Sequence, residues 1–98
     1  MVTIIVTYKC RPGMRGAFLE ALKSEELGKK CEQEQGNIRY AYACADADED
    51  VLYLLEQWES AEALKAHFAQ PHFARIGQVK DEFVLDTVLE KYGDPEAL

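Results

Sequence analysis

The sequence predicts an α+β domain of the ferredoxin-like class, in which helices cover one face of a four-stranded antiparallel sheet. Two observations lead to this prediction. Strand-like and helical segments follow one another in the order β, helix pair, β, β, helix pair, β. The two halves also resemble each other, because each has a strand, a turn and an Ala/Leu-rich helical stretch. With 98 residues, the chain is expected to form one domain, residues 1–98, with a C-terminal tail at 93–98.

The first strand and the helical segment after it are predicted from composition and spacing. Residues 2–8 are rich in β-branched side chains and are soon followed by the turn signal Arg-Pro-Gly at 11–13. The apolar side chains that come next repeat at helical spacing with one slip: Met14, Phe18, Leu22, Leu27 and Cys31. We therefore expect one kinked helix or two short helices, with Ser24 capping a new start and Gly36 marking the end.

The middle of the chain is predicted to form a β-hairpin. Residues 37–45 and 51–58 are both rich in residues that favour strands. Between them lies the acidic stretch at 46–50, which is suited to a loop and not to a core. The two strands are therefore expected to pair antiparallel.

A second helix pair and a last strand complete the predicted order. Ser60 is expected to cap a helix, and Pro71 is expected to interrupt it. A short second helix follows, and residues 83–92 are predicted to form the final strand. Gly93 is expected to end that strand.

Two of the predicted strands are apolar on both faces. Residues 51–55 read Val-Leu-Tyr-Leu-Leu and residues 40–44 read Tyr-Ala-Tyr-Ala-Cys, whereas a half-exposed sheet alternates apolar with polar side chains. An uncovered apolar face of this kind marks an interface. We therefore expect a homodimer in which a second subunit covers the face without helices.

Charge and cysteine content exclude several classes of partner. Eleven Lys and Arg against 18 Asp and Glu give a net charge of -7, which opposes binding to nucleic acid or to anionic membranes. No segment reaches the length of a transmembrane helix, and residues 2–8 lack the features of a signal peptide. Three cysteines without a CxxC pair indicate reduced thiols and a cytoplasmic location.

His67 and His72 are the only side chains expected to titrate near neutral pH without a large shift, and both lie beside Pro71. The helix dipole favours the cation at His67, near a helix end, and the neutral ring at His72, near a helix start. We predict both as catalytic residues, although either one alone also fits a packing or surface role. No metal site is predicted, because His-x4-His across a proline is not a helical zinc pair and no third ligand is evident.

Glu56 is the one carboxylate predicted inside a buried strand, on the same face as Trp58. Such a group must be paired or hydrogen-bonded. Arg39 on the neighbouring strand is the predicted partner, either in a structural ion pair or in substrate binding. Cysteine nucleophile chemistry is not expected, because Cys10 and Cys44 fit the pattern of small buried hydrophobes.

Three motifs carry a resemblance to a known family. They are Gly-Asn-Ile-Arg-Tyr at 36–40, Leu-Glu-Gln-Trp-Glu-Ser at 55–60 and Ala-Leu-Lys-Ala-His-Phe-Ala-Gln-Pro-His-Phe at 63–73. Together they resemble the antibiotic biosynthesis monooxygenase family of the dimeric α/β-barrel superfamily, over nearly the whole chain. The resemblance implies a ferredoxin-like fold and a homodimer with sheets packed face to face.

The resemblance also implies an activity, which is cofactor-independent monooxygenation of a quinol or another electron-rich hydroxylated aromatic. Molecular oxygen is then the co-substrate, and no metal or other cofactor is expected. His67 is expected to assist deprotonation of the substrate, while His72, Asn37 or Arg39 holds the phenolate. The walls of the substrate pocket are expected to be Trp58, Tyr53, Phe68 and Phe73.

Two alternatives stay open within and beyond this family. Heme degradation is disfavoured, because Val6, Thr7 and Gly77 stand where that branch carries its asparagine and histidine. An isomerase of a small phosphorylated hydroxyketone is the main enzymatic alternative, since two histidines can shuttle a proton between adjacent carbons. A non-catalytic dimer that binds an aromatic ligand is the other alternative.

Overall fold

The computed structural model describes residues 1–93 and has the predicted order of elements. The strands and helices are β1 Val2–Cys10, α1 Arg15–Ser24, α2 Leu27–Glu32, β2 Asn37–Cys44, β3 Val51–Trp58, α3 Ala61–Phe68, α4 Pro71–Phe83 and β4 Val84–Gly93. The predicted C-terminal tail lies outside the described residues, except for Gly93, which ends β4. None of the helices in the described part of the chain is long and apolar enough to cross a membrane.

The four strands form one antiparallel sheet with the order β2-β3-β1-β4, which confirms the ferredoxin-like fold. Side chains in β1 alternate strictly between buried and half-buried, as the period of two in a strand requires. The buried set points toward the four helices, and we call this side the inner face of the sheet. The opposite side, reached by Ile5 in β1 and Leu55 in β3, is the outer face.

The hydrophobic core lies between the inner face and the helices. Buried side chains from the sheet pack against Phe18 and Leu22 of α1, Leu27 of α2, Leu64 of α3 and Ile76 of α4. Burial of each such aliphatic or aromatic side chain stabilises the fold by about 1.5–3 kcal/mol. The sheet contributes mainly Val2, Ile4, Val6, Tyr8, Leu52, Leu54 and Trp58.

The first helical segment is two helices, and not one kinked helix. The break lies at Glu26, whose φ of 54° places it in the left-handed region and stops the hydrogen-bond ladder of α1. Ser24 does not cap a new start as predicted. Its hydroxyl donates to the carbonyl of Ala21, so it closes the last turn of α1.

The predicted hairpin loop is present, but basic side chains hold it against the domain. Arg15 Nη1 donates to the carbonyl oxygens of Ala45, Asp48 and Val51 at 3.1–3.2 Å. Lys9 Nζ lies 2.7 Å from Asp48 Oδ2. These contacts give the acidic loop a fixed place above the start of α1.

The second helix pair is divided as predicted, although its second member is longer than expected. The Ser60 hydroxyl accepts from the backbone N–H of Ala63 at 3.1 Å, which confirms it as the cap of α3. Pro71 occupies the first turn of α4. Its missing N–H costs no hydrogen bond there, because N–H groups in the first turn have no partner within the helix. Because α4 continues through Phe83, the last strand begins at Val84 and not at the predicted Phe83.

A β-bulge at the start of β2 overturns the predicted pairing of Arg39 with Glu56. Asn37 lies opposite Trp58, but the register then shifts by one residue, so Arg39 lies opposite Gln57 and Tyr40 opposite Glu56. The extra residue in the bulge turns Arg39 to the outer face, where it is exposed. A one-residue shift reverses the face of every side chain that follows, and sequence alone does not reveal it.

Gly36 allows the chain to pass closely beneath α3, and its replacement is expected to destabilise the fold. It has a φ of +88°, and a Cβ there would lie 2.5 Å from the Cβ of Ala63. We expect Gly36→Ala to lower the free energy of unfolding by about 2–4 kcal/mol, from left-handed strain and overpacking. Urea unfolding, followed by Trp58 fluorescence, measures this loss of free energy of unfolding.

The matched control is Gly16→Ala. Gly16 lies within α1, and an added Cβ there meets nothing within 4 Å. Because alanine has the higher helix propensity, this variant is expected to be up to about 1 kcal/mol more stable than the wild type. Equal urea unfolding midpoints for Gly36→Ala and Gly16→Ala would contradict the close approach at Gly36.

Candidate active site

The two predicted catalytic histidines meet at one carboxylate. His67 lies in the last turn of α3 and His72 in the first turn of α4, as expected from the break at Pro71. His67 Nδ1 and His72 Nε2 each lie 2.7 Å from Oε2 of Glu34. Because a carboxylate oxygen accepts hydrogen bonds, the two ring nitrogens that face Glu34 are the donors.

Glu34 is a functional residue that the sequence analysis missed. It follows α2 in the segment Gln-Glu-Gln-Gly at 33–36, which is typical of a polar helix end at the surface. It is separated by 33 residues from His67 and by 38 from His72. Only the packing of α2 against the α3–α4 junction brings it to them.

The second nitrogen of His67 faces another carboxyl group. His67 Nε2 lies 3.6 Å from Oε1 of Glu56, and the indole N–H of Trp58 donates to the same oxygen at 3.2 Å. Burial raises the pKa of Glu56, although His67 and the indole N–H partly oppose that shift. The hydrogen bond to Glu56 therefore comes from Trp58, with His67 close by, and not from the predicted Arg39.

His67 is a buried ring held among other rings. Its ring centre lies 4.5 Å from that of Trp58 and 5.2 Å from that of Phe73. Phe68 lies next to it along the chain, with ring centres 5.8 Å apart. The orientation of His67 is thus fixed by aromatic packing together with the hydrogen bond to Glu34.

A cavity of about 300 Å³ opens beside His67 and Glu56. It lies between the inner face of the sheet and α4, and most of its wall is apolar. Among the residues that line it are Tyr8, Tyr40, Leu54, Phe68, Phe73 and Leu89. Apolar cavities of this size with a few converging polar groups are typical of small-molecule sites.

Trp58 is fully buried and does not line this cavity, and three other predicted substrate contacts do not reach it either. Tyr53 is 40% exposed on the outer face of the sheet, because it alternates with the buried Leu52 and Leu54. Arg39 is exposed on the same face beyond the bulge. Asn37 lies opposite Trp58, but its side-chain amide donates to the backbone carbonyl of Arg39 at 3.2 Å. The structure therefore brings together His67, His72, Trp58, Phe68 and Phe73, and leaves these three apart.

Polar residues that were not predicted contribute to the cavity instead. Tyr8 and Tyr40 line it, and burial raises the pKa of both phenols. Among the described residues, one lysine lines the cavity, and it is Lys80 of α4. This cation is placed to pair with an anionic group of a ligand. That role was predicted for Arg39.

Comparison with known families identifies the family of the chain. A sequence model of the antibiotic biosynthesis monooxygenase family matches residues 1–78. The chain belongs to this family. The matched residues include both histidines, Glu34, Glu56 and Trp58, whereas β4 lies beyond them. The sequence matches none of the curated proteins at a significant level.

Several solved structures share the fold of this antibiotic biosynthesis monooxygenase family member. A protein from Nitrosomonas europaea is 20% identical, with a TM-score of 0.85 and coverage of 97% of this chain and 99% of that chain. A structure named antibiotic biosynthesis monooxygenase is 22% identical, with a TM-score of 0.82 and coverage of 95% and 97%. A Bacteroides thetaiotaomicron protein of unknown function, described as a possible oxidoreductase, is 30% identical, with a TM-score of 0.82 and coverage of 93% and 94%.

The family motifs of this monooxygenase family member have separate physical roles. In the motif at 55–60, Glu56 and Trp58 point to the inner face and form one end of the site, while Ser60 caps α3. In the motif at 63–73, the break at Pro71 turns His67 and His72 toward the same carboxylate. These two motifs therefore supply both histidines, Glu56 and Trp58, whereas Glu34 lies outside them.

Proposed function

We propose that this protein is a cofactor-independent monooxygenase that acts on a quinol or another electron-rich hydroxylated aromatic, with molecular oxygen as co-substrate. One observation supports this most strongly. His67 lines a mainly apolar cavity, and its Nδ1 lies 2.7 Å from Glu34 Oε2, so Nε2 is the ring nitrogen left for a substrate proton. A base supported by a carboxylate, next to an aromatic-lined cavity, is what deprotonation of a phenolic substrate requires.

The proposed reaction begins with proton transfer. His67 Nε2 accepts the proton of a substrate hydroxyl group, and Glu34 stabilises the resulting imidazolium. The phenolate then passes one electron to oxygen, and the two radicals combine to form a carbon–oxygen bond. Loss of water from the hydroperoxide leaves the new oxygen on the ring. For a hydroquinone the products are a hydroxyquinone and one water, so that oxygen gains the four electrons that the substrate loses.

The remaining cavity residues assist this reaction by position and polarity. Lys80 offers positive charge to the phenolate, and Glu56, whose pKa is raised by burial, lines the same cavity beside His67. Phe68 and Phe73 exclude water from the radical pair. His72 contacts the same Glu34 oxygen as His67 and does not line the cavity, so we assign it the role of positioning that carboxylate.

Oxygen uptake by the purified protein, freed of metal and flavin, tests the proposal. Hydroquinones and naphthohydroquinones are offered in turn, with autoxidation subtracted. We expect protein-dependent uptake of one oxygen molecule per substrate, with one ¹⁸O atom from labelled oxygen in the product and one in water. If no substrate is consumed but Trp58 fluorescence still responds to the ligands, the protein is a binding module and the oxygenase proposal fails.

A proton-shuttling isomerase of a phosphorylated hydroxyketone is the second candidate. It is favoured by the two acid–base groups 3.6 Å apart, His67 Nε2 and Glu56, together with Lys80 as a partner for a phosphate group. Such an enzyme would exchange the carbon-bound hydrogen of its substrate with deuterium from solvent, without consuming oxygen. Oxygen uptake without deuterium exchange separates the oxygenase from this candidate.

The proposed active form is a homodimer in which two outer faces pack together. Ile5 and Leu55 pair at the centre of that face, and Tyr53, Val88 and Tyr92 are large apolar side chains exposed around them. The self-complementary packing of one face on its copy is the usual route to a two-fold dimer. The cavity opens on the inner face, so dimer formation leaves it accessible.

A further inference from the structure

Four side chains with metal-binding atoms converge on the Nδ1 side of His67. Cys31, Glu34, His67 and His72 each bring one such atom, and the four atoms all lie within 4.8 Å of one another. Cys31 lies in the last turn of α2 and Glu34 just after it, while the histidines flank the junction of α3 and α4. Three helices therefore place one thiol, one carboxyl group and two imidazoles around a single point.

We propose that this cluster binds one Zn²⁺ ion, or a divalent transition metal of similar chemistry, in tetrahedral coordination. Thiolate, imidazole and carboxylate are the groups that bind zinc in proteins, whereas Mg²⁺ and Ca²⁺ require oxygen ligands. Bonds of about 2.0–2.3 Å set tetrahedral ligand atoms about 3.3–3.8 Å apart. The present separations run from 2.7 Å to at most 4.8 Å, so small side-chain rotations suffice.

The surroundings of the four ligands match those of a structural metal site. Cys31 is 0% exposed and His67 1%, whereas the side chains of Glu34 and His72 are 9% and 14% exposed. The cluster is therefore closed toward the core and reachable from the surface at one side. All four coordination positions come from the protein, as in structural zinc sites, so the metal holds α2, α3 and α4 together.

Glu56 provides an independent feature of a metal site. Metal-bound histidines almost always donate their other ring N–H to a carboxylate or carbonyl group. When Nδ1 of His67 binds the metal, its Nε2 carries the proton and faces Glu56 Oε1 at 3.6 Å. The indole N–H of Trp58 holds that oxygen in place. Glu56, His67 and the metal would then form a carboxylate–histidine–metal triad.

No metal site is predicted from the sequence, because the segment that holds the two histidines supplies no third ligand. The fold supplies both missing ligands from α2 and the turn after it. Cys31 and Glu34 lie three residues apart, but 33 and 38 residues separate Glu34 from His67 and His72. A site assembled from distant segments leaves no local motif.

One consequence of metal binding rests on the function proposed above. With the metal on Nδ1, the lone pair of Nε2 is replaced by an N–H, and His67 can no longer accept a proton from the substrate. Zinc is therefore expected to suppress oxygenation while stabilising the fold. The binding itself is independent of that function, and a failure of the oxygenase assay leaves it intact.

Cobalt binding to the full chain tests the site. The protein is freed of metal with a chelator, reduced, and titrated with Co²⁺ in the absence of oxygen. We expect one Co²⁺ per chain, with the visible absorption of a tetrahedral site and a near-ultraviolet band from thiolate-to-cobalt charge transfer. Zn²⁺ is expected to remove both signals and to raise the unfolding temperature, whereas Mg²⁺ is expected to do neither.

Two cysteine variants and one histidine variant assign the signal to these residues. Cys31→Ser is expected to abolish the charge-transfer band, whereas Cys44→Ser, at an exposed thiol outside the cluster, is expected to retain it. His72→Ala removes a ligand at the surface side of the cluster, outside the buried core, and is expected to weaken Co²⁺ binding at least about 10-fold. Circular dichroism verifies that each variant is folded.

The proposal is overturned by either of two results. The first is the absence of a tetrahedral cobalt spectrum in the folded wild-type protein. The second is a spectrum that both Cys31→Ser and His72→Ala leave unchanged, since the metal then lies elsewhere. Oxygen uptake measured on the same samples, with and without Zn²⁺, separately reports the oxygenase function.

Discussion

Replacement of His67 by alanine is expected to reduce oxygen uptake with a confirmed quinol substrate by about 10²–10⁴-fold, the usual contribution of a general base. His67 is the histidine that lines the cavity, and its Nδ1 is held by Glu34 at 2.7 Å, which leaves Nε2 as the proposed base. Without the ring, the substrate proton has no acceptor of suitable basicity. Initial rates in a sealed oxygen electrode, on metal-free protein, measure the loss.

Two control variants are measured beside His67→Ala. One keeps the core filled, and the other changes an exposed residue of the same helix. Because His67 is buried against Trp58, His67→Ala leaves space in the core, whereas His67→Gln fills most of it and still cannot act as a base. Both are expected to be inactive. Lys65→Ala, at an exposed position in the same helix, is expected to keep wild-type activity. Full turnover by a folded His67→Gln protein would remove His67 from the mechanism.

His72 is expected to matter less than His67, although both contact the same carboxylate. His72 contacts Glu34 through Nε2 at 2.7 Å, and it is not among the residues that line the cavity. It can act on the substrate only through the position and charge of Glu34. The two histidines and Glu34 form a chain of three groups, in which His67 is the histidine that lines the cavity.

Most of the fold could be predicted because each element carries its own local signal. The β-branched run of β1, the cap at Ser60 and the break at Pro71 act over a few residues, and all three elements form where they were expected. The bulge at the start of β2 carries no such signal. It shifts the register by one residue, and this single shift moved Arg39 from the site to the outer face.

The candidate site could be predicted only in part, for a related reason. His67, Phe68 and Phe73 come from one continuous segment, so sequence spacing was sufficient to group them. Glu34 belongs to a helix end that resembles ordinary surface, and only long-range packing brings it to the histidines. Alternation within β3 could have excluded Tyr53, since it points away from Glu56 and Trp58.

The outer face offers the second large effect, because Leu55→Arg is expected to dissociate the proposed homodimer. Leu55 lies between Ile5 and Ala41 at the centre of that face, so both copies would bring an unpaired charge into the middle of the interface. An uncompensated buried charge costs about 3–5 kcal/mol, and two-fold symmetry applies the cost twice. We expect the dissociation constant to rise at least about 10³-fold, as measured by sedimentation equilibrium.

The effect depends on position in the sheet and not on charge alone. Ile38→Lys adds a charge at an exposed apolar residue in the bulge of the edge strand β2, away from the centre of the face, and is expected to leave the dimer intact. Leu55 points away from the core, so Leu55→Arg should keep the fold and the cavity, and the monomer should retain the circular dichroism spectrum of the wild type. A wild-type protein that sediments as a monomer at micromolar concentration would show that the apolar outer face needs no second copy.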